Sequence, residues 1–364
     1  MENSSARTNT TPDGKTRRST LGYWILLCIN YGSMFLGSIS ASLMTRFYFI
    51  HGGSSRWVAT WVQSSGFPIL LIPIYIYPHF LSTQPPRPFS RFTWNLFFIS
   101  IGVGLLTGVS NFLVSWGISY LAVSTASLVQ SCQLAFNLIL SAILVKQKLT
   151  FTNLNCVVLL TICSVLIALD SDHDRPNGVS RAQFYFGFVS ILGAALLFAL
   201  YLPIMEMVYR RISGYGMVME MQLFIQIVAT VFSTVGMLAG HGFHDMKKES
   251  MVVFDLGGAR YWLALGFTLV AWQLSFMGTA GIVYLTTSLT GGICMTALLP
   301  MNVISGVVAY GDALGGVKAV STVLCLWGFL SYVYGQYRKN RMEEMKRKRE
   351  MEMVESENVV ADGV

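Results

Sequence analysis

Three side-chain amides near the middle of a long uncharged stretch are the first residues in this sequence that could recognise a ligand. Residues 121–145 carry no charge, and 25 residues at 1.5 Å each span a bilayer core. Gln130, Gln133 and Asn137 are spaced by three and then four positions, which places them on one helical face. An unpaired amide in hydrocarbon costs several kcal/mol, so this face must contact protein or water. The stripe predicts either hydrogen bonds between helices or the polar lining of a ligand cavity.

One acid, Glu206, lies inside a predicted membrane span and away from its first residues. It follows Pro203 in YLPIMEMVYRR (201–211). Acids within a membrane are costly and are functional candidates by default. Glu206 is therefore the candidate for exchanging a proton with substrate or solvent. The alternative is an interfacial ion pair with Arg210, one helical turn further along the chain.

Four more residues extend the candidate binding site. Trp61 could stack on a flat aromatic ligand, and packing against lipid or another helix is an equal alternative. Asn111 belongs to a stripe of polar residues that repeats every four positions. Tyr284 and Thr287 lie in a hairpin with almost no loop. These residues predict a site of amides, hydroxyls and aromatic rings, suited to a planar, neutral or weakly basic heteroaromatic solute.

The sequence does not support phosphate binding, calcium binding or a disulfide framework. A phosphorylated substrate would call for a Lys or Arg deep in a span, and none is present. The acidic run that begins at Asp170 has Arg175 and Arg181 where a calcium loop needs Gly and Glu. All six cysteines lie in apolar stretches, where they act as small packing residues. No metal site, cofactor or catalytic residue is predicted.

The composition shows what kind of protein must position these residues. Of 364 residues, 53% are hydrophobic and 12% charged, against about 25% charged in soluble domains. The mean hydropathy is +0.55. This is an all-α integral membrane protein with the lipid bilayer as its main partner. The apolar stretches predict ten transmembrane helices, at 22–44, 57–80, 94–117, 121–145, 152–169, 183–207, 217–240, 261–283, 286–309 and 317–336.

The basic residues predict the orientation. An even number of spans places both termini on one side, and that side then carries 17 of the 25 Lys and Arg residues. The positive-inside rule makes that side cytosolic. The net charge of +7 is thus explained by topology, and no nucleic acid partner is predicted. The terminal segments, 1–20 and 337–364, are expected to be a disordered tail and a charged tail in the cytosol.

The two halves of the chain resemble each other. A shift of 164 residues aligns Gly117, Tyr120 and Leu121 with Gly281, Tyr284 and Leu285. The predicted units are a first five-helix repeat (21–170), an extracellular connecting loop (171–181) and a second five-helix repeat (182–336). An odd number of helices makes the second repeat inverted in the membrane. Inverted repeats with a site between them are typical of secondary transporters.

Three stretches resemble the plant purine permeases, a family of the drug/metabolite transporter superfamily. They are RFYFIHGGSSRWVATWVQSSGFPILLIP (46–73), SWGISYLAVSTASLVQSCQLAFNLILSAILVKQKLT (115–150) and LFALYLPIMEMVYRR (197–211). The resemblance implies ten helices in two inverted halves and proton-coupled uptake of adenine, cytokinins or related alkaloid bases. It also implies the plasma membrane as the commonest location, with internal membranes used by some members.

The resemblance gives the candidate residues specific roles. Glu206 would be the proton-linked acid, Trp61 would stack on the purine, and the amides of Asn111, Gln130, Gln133 and Asn137 would bind its edge. A transporter of the same fold for another cargo, such as a nucleotide sugar, is the first alternative. A membrane-embedded enzyme is the second, and the predicted inner loops lack the His/Asp or Asp-rich motifs that it would need.

Overall fold

A computed structural model shows how the helices are arranged. It describes residues 13–75, 88–90, 92–144, 178–212, 214–286 and 288–311, isolated residues between 155 and 166, and most of 315–349. The α-helices between residues 13 and 311 are α1 (Asp13–Ile50), α2 (Arg56–Ser65), α3 (Trp94–Tyr120), α4 (Val123–Gln130), α5 (Cys132–Leu144), α6 (Arg181–Tyr209), α7 (Tyr215–Ala239), α8 (Gly242–Lys248), α9 (Gly258–Leu285) and α10 (Ser288–Tyr310). A 3-10 turn (Phe67–Leu70) and a π-helical turn (Glu249–Val253) complete this set.

The all-helical prediction is confirmed for this part of the chain, which contains no strand. Within the described residues, six helices are long and apolar enough to cross a membrane: Gly22–Ile50, Arg56–Tyr75, Trp94–Tyr120, Arg181–Tyr209, Tyr215–Ala239 and Gly258–Leu285. They coincide with predicted spans one, two, three, six, seven and eight. Predicted span nine coincides with α10. Spans five and ten lie largely or partly outside the described residues, as do most of the 171–181 loop and the ends of both tails. Helix α1 begins at Asp13, within the predicted N-terminal tail.

Predicted span four is not one continuous helix. It consists of α4 and α5, which are separated by a turn at Ser131. There the Ser131 N–H bonds the Leu128 carbonyl, and the Leu134 N–H bonds the Ser131 carbonyl, so both bonds close over three residues instead of four. Residues 121–144 contain no Pro or Gly that would break a helix locally. The Ser131 hydroxyl donates to the Leu128 carbonyl at 2.6 Å, so a local side-chain bond competes with the regular helical pattern at this turn.

Contacts between helix termini define the two ends of the bundle. At the Tyr23 end, the Tyr23 hydroxyl donates to the Leu285 carbonyl over 3.0 Å, so the start of α1 meets the end of α9. At the Ile50 end, Arg56 donates to the Tyr120 hydroxyl over 2.5 Å, so the start of α2 meets the end of α3. The end of α10 also lies at the Ile50 end, where Tyr310 hydrogen-bonds the Leu43 carbonyl.

Helices α1 and α9 pack closely along their length because glycines remove side chains from the contact. A Cβ on Gly37 would lie 2.5 Å from the Ser275 nitrogen, and one on Gly278 would lie 2.5 Å from the Asn30 carbonyl oxygen. A Cβ on Gly281 would collide with Asn30 Oδ1, which accepts a hydrogen bond from the Tyr215 hydroxyl at 3.0 Å. Small residues at helix interfaces in membranes allow this backbone approach.

We expect Gly281→Ala to destabilise the protein by about 1–3 kcal/mol, because the added methyl group must displace the buried Asn30 amide. Gly266→Ala is the matched control on the same helix. A Cβ there meets no heavy atom within 4 Å, so its helix propensity should make it neutral or stabilising by up to about 1 kcal/mol. Thermal unfolding of the detergent-purified variants measures the difference. Equal unfolding temperatures for the two variants would contradict the close-packing argument.

Candidate functional site

A polar cavity lies among seven helices between the two ends of the bundle. Its volume is about 100 Å³. Helices α1, α3, α4, α5, α6, α9 and α10 all contribute to it. The lining residues are Ser38, Ser42, Ser110, Asn111, Val114, Ile118, Gln130, Ser131, Gln133, Leu134, Asn137, Phe198, Trp272, Ser275, Phe276, Thr279, Gly292, Met295, Leu298 and Asn302. None of these lining residues is charged, so recognition here must use neutral hydrogen bonds and apolar contact.

Four of the amides predicted from sequence converge on this cavity. Gln130 and Gln133 flank the break at Ser131, Asn137 follows on α5, and Asn111 comes from α3. The predicted stripe thus faces a cavity, although the helix that carries it is interrupted. The role of these residues as substrate ligands stays a prediction.

Three amides in the cavity have atoms without a hydrogen-bond partner among the described residues. They are Asn111 Nδ2, Asn137 Nδ2 and Asn302 Oδ1. The three side chains are 5%, 1% and 8% exposed. Buried polar groups are nearly always paired, and leaving one unpaired costs about 1–3 kcal/mol. Unpartnered amides around a cavity therefore indicate a place where a polar ligand can supply the missing bonds.

An aromatic wall on α9 was not predicted from the sequence. The rings of Trp272 and Phe276 both line the cavity and stack with centroids 5.6 Å apart at an interplanar angle of 26°. The Trp272 indole N–H donates to Thr45 Oγ1 at 3.3 Å, which links it to α1. A signal was present: Trp272, Ser275, Phe276 and Thr279 are spaced by three, one and three positions, a stripe along one helical face.

Glu206 lies at the Tyr23 end and does not line the cavity. Its Oε1 atom is 2.5 Å from Arg210 Nη2, the ion pair considered as the alternative from sequence. Its Oε2 atom accepts from the Ser288 backbone N–H at 3.2 Å and from the Ser288 hydroxyl. A carboxylate at the first residue of α10 is also favoured by the helix dipole. Glu206 is 8% exposed and joins the end of α6 to the start of α10.

Comparisons with known proteins agree with a membrane protein that binds a small solute. A family described as purine nucleobase transmembrane transport matches residues 25–342. The Arabidopsis thaliana protein named probable purine permease 4 is 59% identical over 301 residues, which cover 82% of this chain and 78% of that protein. The Arabidopsis thaliana purine permease 3 is 32% identical over 340 residues, covering 91% and 96% of the two chains.

The chain belongs to the purine permease family. The resemblance read from three sequence stretches is therefore confirmed. Permeases carry solutes without converting them, so this is a membrane transporter and not an enzyme. One solved crystal structure is similar in fold, with a TM-score of 0.54 and 15% identity over 85% of this chain and 98% of the other.

Trp61 and Tyr284, which the sequence also predicts as site residues, do not line the permease cavity. The Trp61 indole N–H donates to Thr234 Oγ1 at 3.1 Å, and its ring packs with a hydrophobic cluster that includes Val58. Tyr284 lies at the Tyr23 end, where its hydroxyl accepts from the Gly214 N–H at 3.0 Å. Thr287 lies outside the described residues. The observed partners of Trp61 and Tyr284 are helix-packing contacts, and their role as substrate ligands stays a prediction.

Proposed function

We propose that this permease carries neutral purine-type bases, including adenine and cytokinins, through the cavity by proton symport. The main support is the convergence of predicted amides and an aromatic wall on one uncharged cavity in a member of the purine permease family. A stacked aromatic pair suits a flat base, and amides suit its nitrogen-rich edge. A nucleotide sugar would need a cation for its phosphates, and none is among the lining residues.

We further propose that two inverted halves alternate access to this cavity. Helix α3 ends at Tyr120 at the Ile50 end and is followed at once by α4. Helix α9 ends at Leu285 at the Tyr23 end and is followed at once by α10. These two hairpins are the ones that the sequence repeat aligns, and opposite ends are what an inverted repeat requires. The distribution of basic residues favours a cytosolic Tyr23 end. The resemblance to the plant purine permeases favours the plasma membrane as the location.

Glu206 is our candidate for the coupling proton, acting at the Tyr23 end. Protonation of its carboxylate would remove the charge that holds Arg210 and weaken the bonds that Ser288 donates. This would loosen the contact between α6 and α10. The proton would thus act on this contact between helices and not through direct contact with the base.

The test is uptake of radiolabelled adenine and trans-zeatin in a transport-deficient yeast strain at external pH 5 and pH 7.5. Wild-type uptake should be faster at pH 5 and collapse with a protonophore, because protonation drives the cycle. Glu206→Gln should lose most of this pH dependence, because its amide cannot take up a proton.

Glu220→Gln is the matched control. Glu220 is also 8% exposed and lies at the same end, but its Oε1 atom accepts from the Phe89 N–H and not from α10. This variant should keep the pH dependence of the wild type. Unchanged pH dependence in Glu206→Gln, at matched surface expression, would remove Glu206 from the coupling mechanism. If well-expressed wild type took up neither adenine nor trans-zeatin, the proposed cargo would be overturned.

A further inference from the structure

The unpartnered amide atoms in the cavity form a pattern of two donors and one acceptor. Asn111 Nδ2 on α3 and Asn137 Nδ2 on α5 can each donate, whereas Asn302 Oδ1 on α10 can only accept. All three side chains are more than nine-tenths buried. A solute that fills the cavity must satisfy these atoms or leave them unpaired, so the pattern selects among solutes of similar size and shape.

Ser141 and Gly292 are the neighbours of the Asn137 amide. Its Oδ1 atom accepts from the Ser141 hydroxyl at 3.3 Å, one helical turn along α5. Its Nδ2 atom faces Gly292 on α10, where an added Cβ would lie only 2.8 Å away. Because the oxygen is engaged by Ser141, the amide nitrogen is the group left for a ligand. Ser141 and Gly292 are therefore positioning residues for a donor at this point of the cavity.

The remaining walls restrict how a solute can meet these atoms. Trp272 and Phe276 present two nearly parallel rings from α9, which favour a flat solute lying against that helix. A flat solute in this place can reach the amides only with its edge. The uncharged lining also gives no compensation for a charged solute.

We infer, on the basis of the proposed function, that the cavity recognises a neutral base by two acceptor atoms and one N–H donor on the edge of that base. Asn111 and Asn137 donate to two acceptor atoms of the base, such as unprotonated ring nitrogens. Asn302 accepts one N–H of the base and is the specificity-determining residue for that donor. Bases in which this N–H is methylated lose the bond and leave Asn302 Oδ1 buried without a partner.

Competition against radiolabelled adenine uptake tests this pattern. The competitors are adenine, its 1-deaza, 3-deaza and 7-deaza analogues, 9-methyladenine and N6,N6-dimethyladenine. Each deaza analogue lacks one acceptor, and the methylated analogues lack the ring or the amino N–H. In the wild type, at least one deaza and one methylated analogue should compete about tenfold more weakly than adenine, the usual effect of one lost hydrogen bond.

Substitutions of the two asparagines should change the potency of the analogues relative to adenine in different ways. Asn302→Leu should weaken competition by adenine about tenfold, so that the methylated analogue that is weaker than adenine in the wild type now competes as well as adenine does. The potency of each deaza analogue relative to adenine should stay as in the wild type. In Asn137→Leu, a deaza analogue that is weaker than adenine in the wild type should compete as well as adenine, whereas the methylated analogue should remain weaker than adenine. Asn302→Ser repeats the test with a smaller polar residue if the leucine variant fails to fold. Asn95→Leu, at an exposed position near the start of α3, should change neither of these relative potencies.

The outcomes separate this inference from the proposed function. Adenine uptake with equal competition by all analogues, or an Asn302→Leu variant that weakens adenine and its methylated analogues by the same factor, would overturn the inference alone. The second result would show that Asn302 only supports the helix packing. Failure of well-expressed wild type to take up both adenine and trans-zeatin would overturn the proposed function, and the edge recognition would fall with it.

Discussion

Trp272→Ala should raise the adenine concentration at half-maximal uptake by about tenfold to a hundredfold. Stacking of a base on an aromatic side chain contributes about 1–3 kcal/mol, and each 1.4 kcal/mol is a factor of ten in affinity. Trp272 presents its ring to the cavity beside Phe276, and its bond to Thr45 Oγ1 fixes the indole plane. Removal of this ring should therefore weaken binding more than the loss of any single amide.

Trp61→Ala is the matched control, since it removes the same kind of side chain from a position that does not line the cavity. The Trp61 ring packs among hydrophobic residues, and its N–H is satisfied by Thr234. We expect this variant to lose some stability because a partly buried aromatic side chain is truncated. At equal surface expression, its half-saturation concentration should stay within about twofold of the wild type, because no stacking energy is lost.

Concentration-dependent uptake at matched expression measures both variants, and Trp272→Phe adds a third point. Phenylalanine keeps an aromatic face without the N–H, so it should recover most of the lost affinity. If Trp61→Ala gave the larger increase in half-saturation concentration, the base would lie against α2 and not against α9. If Trp272→Ala and Trp61→Ala both left it unchanged, stacking would not contribute to recognition.

The amide stripe could be read from sequence because it depends on a local rule. Spacing by three and four positions fixes a helical face whatever the helix packs against, and the cavity lies where Gln130, Gln133 and Asn137 point. The break at Ser131 could not be read in this way. The Ser131 hydroxyl bonds the Leu128 carbonyl at 2.6 Å, but serines also occur inside regular helices, so this residue alone does not predict an interruption.

The contacts of the buried glutamates also divide into local ones, which the sequence predicts, and distant ones, which it does not. The pair of Glu206 with Arg210 is a contact between positions i and i+4 of one helix and was anticipated as an alternative. The bond from Ser288, 82 residues away, was not. The rule that an acid inside a span is buried also missed Glu249, which lies in a connection between predicted spans and is only 2% exposed.

Glu249 is buried because five donors surround its carboxylate at the Ile50 end. Its Oε2 atom accepts from the Tyr48 hydroxyl at 2.7 Å and from the Tyr261 hydroxyl at 3.0 Å. Its Oε1 atom accepts from the Ser54 N–H at 2.8 Å, the Ser54 hydroxyl at 3.0 Å and the Ser55 N–H at 3.1 Å. One side chain thus joins the α1–α2 connection and the start of α9 to the π-helical turn.

We expect Glu249→Leu to destabilise the folded protein by about 3–5 kcal/mol, because two buried hydroxyls and two backbone N–H groups lose their acceptor together. Asp255→Asn is the matched control at the same end. Its carboxylate is exposed and paired only with His51 at 3.0 Å in the described structure, so its loss should cost no more than about 1 kcal/mol. Thermal unfolding of the detergent-purified variants measures both changes.

A double-mutant cycle with Tyr261→Phe separates the lost hydrogen bonds from a change in packing. In the wild-type background, this substitution removes one of the five donors and should cost about 1 kcal/mol, because four donors still stabilise the carboxylate. In the Glu249→Leu background the tyrosine hydroxyl is already unpaired and buried, so its removal should be neutral or stabilising. Equal costs of Tyr261→Phe in the two backgrounds would mean that the carboxylate does not hold this end of the bundle together.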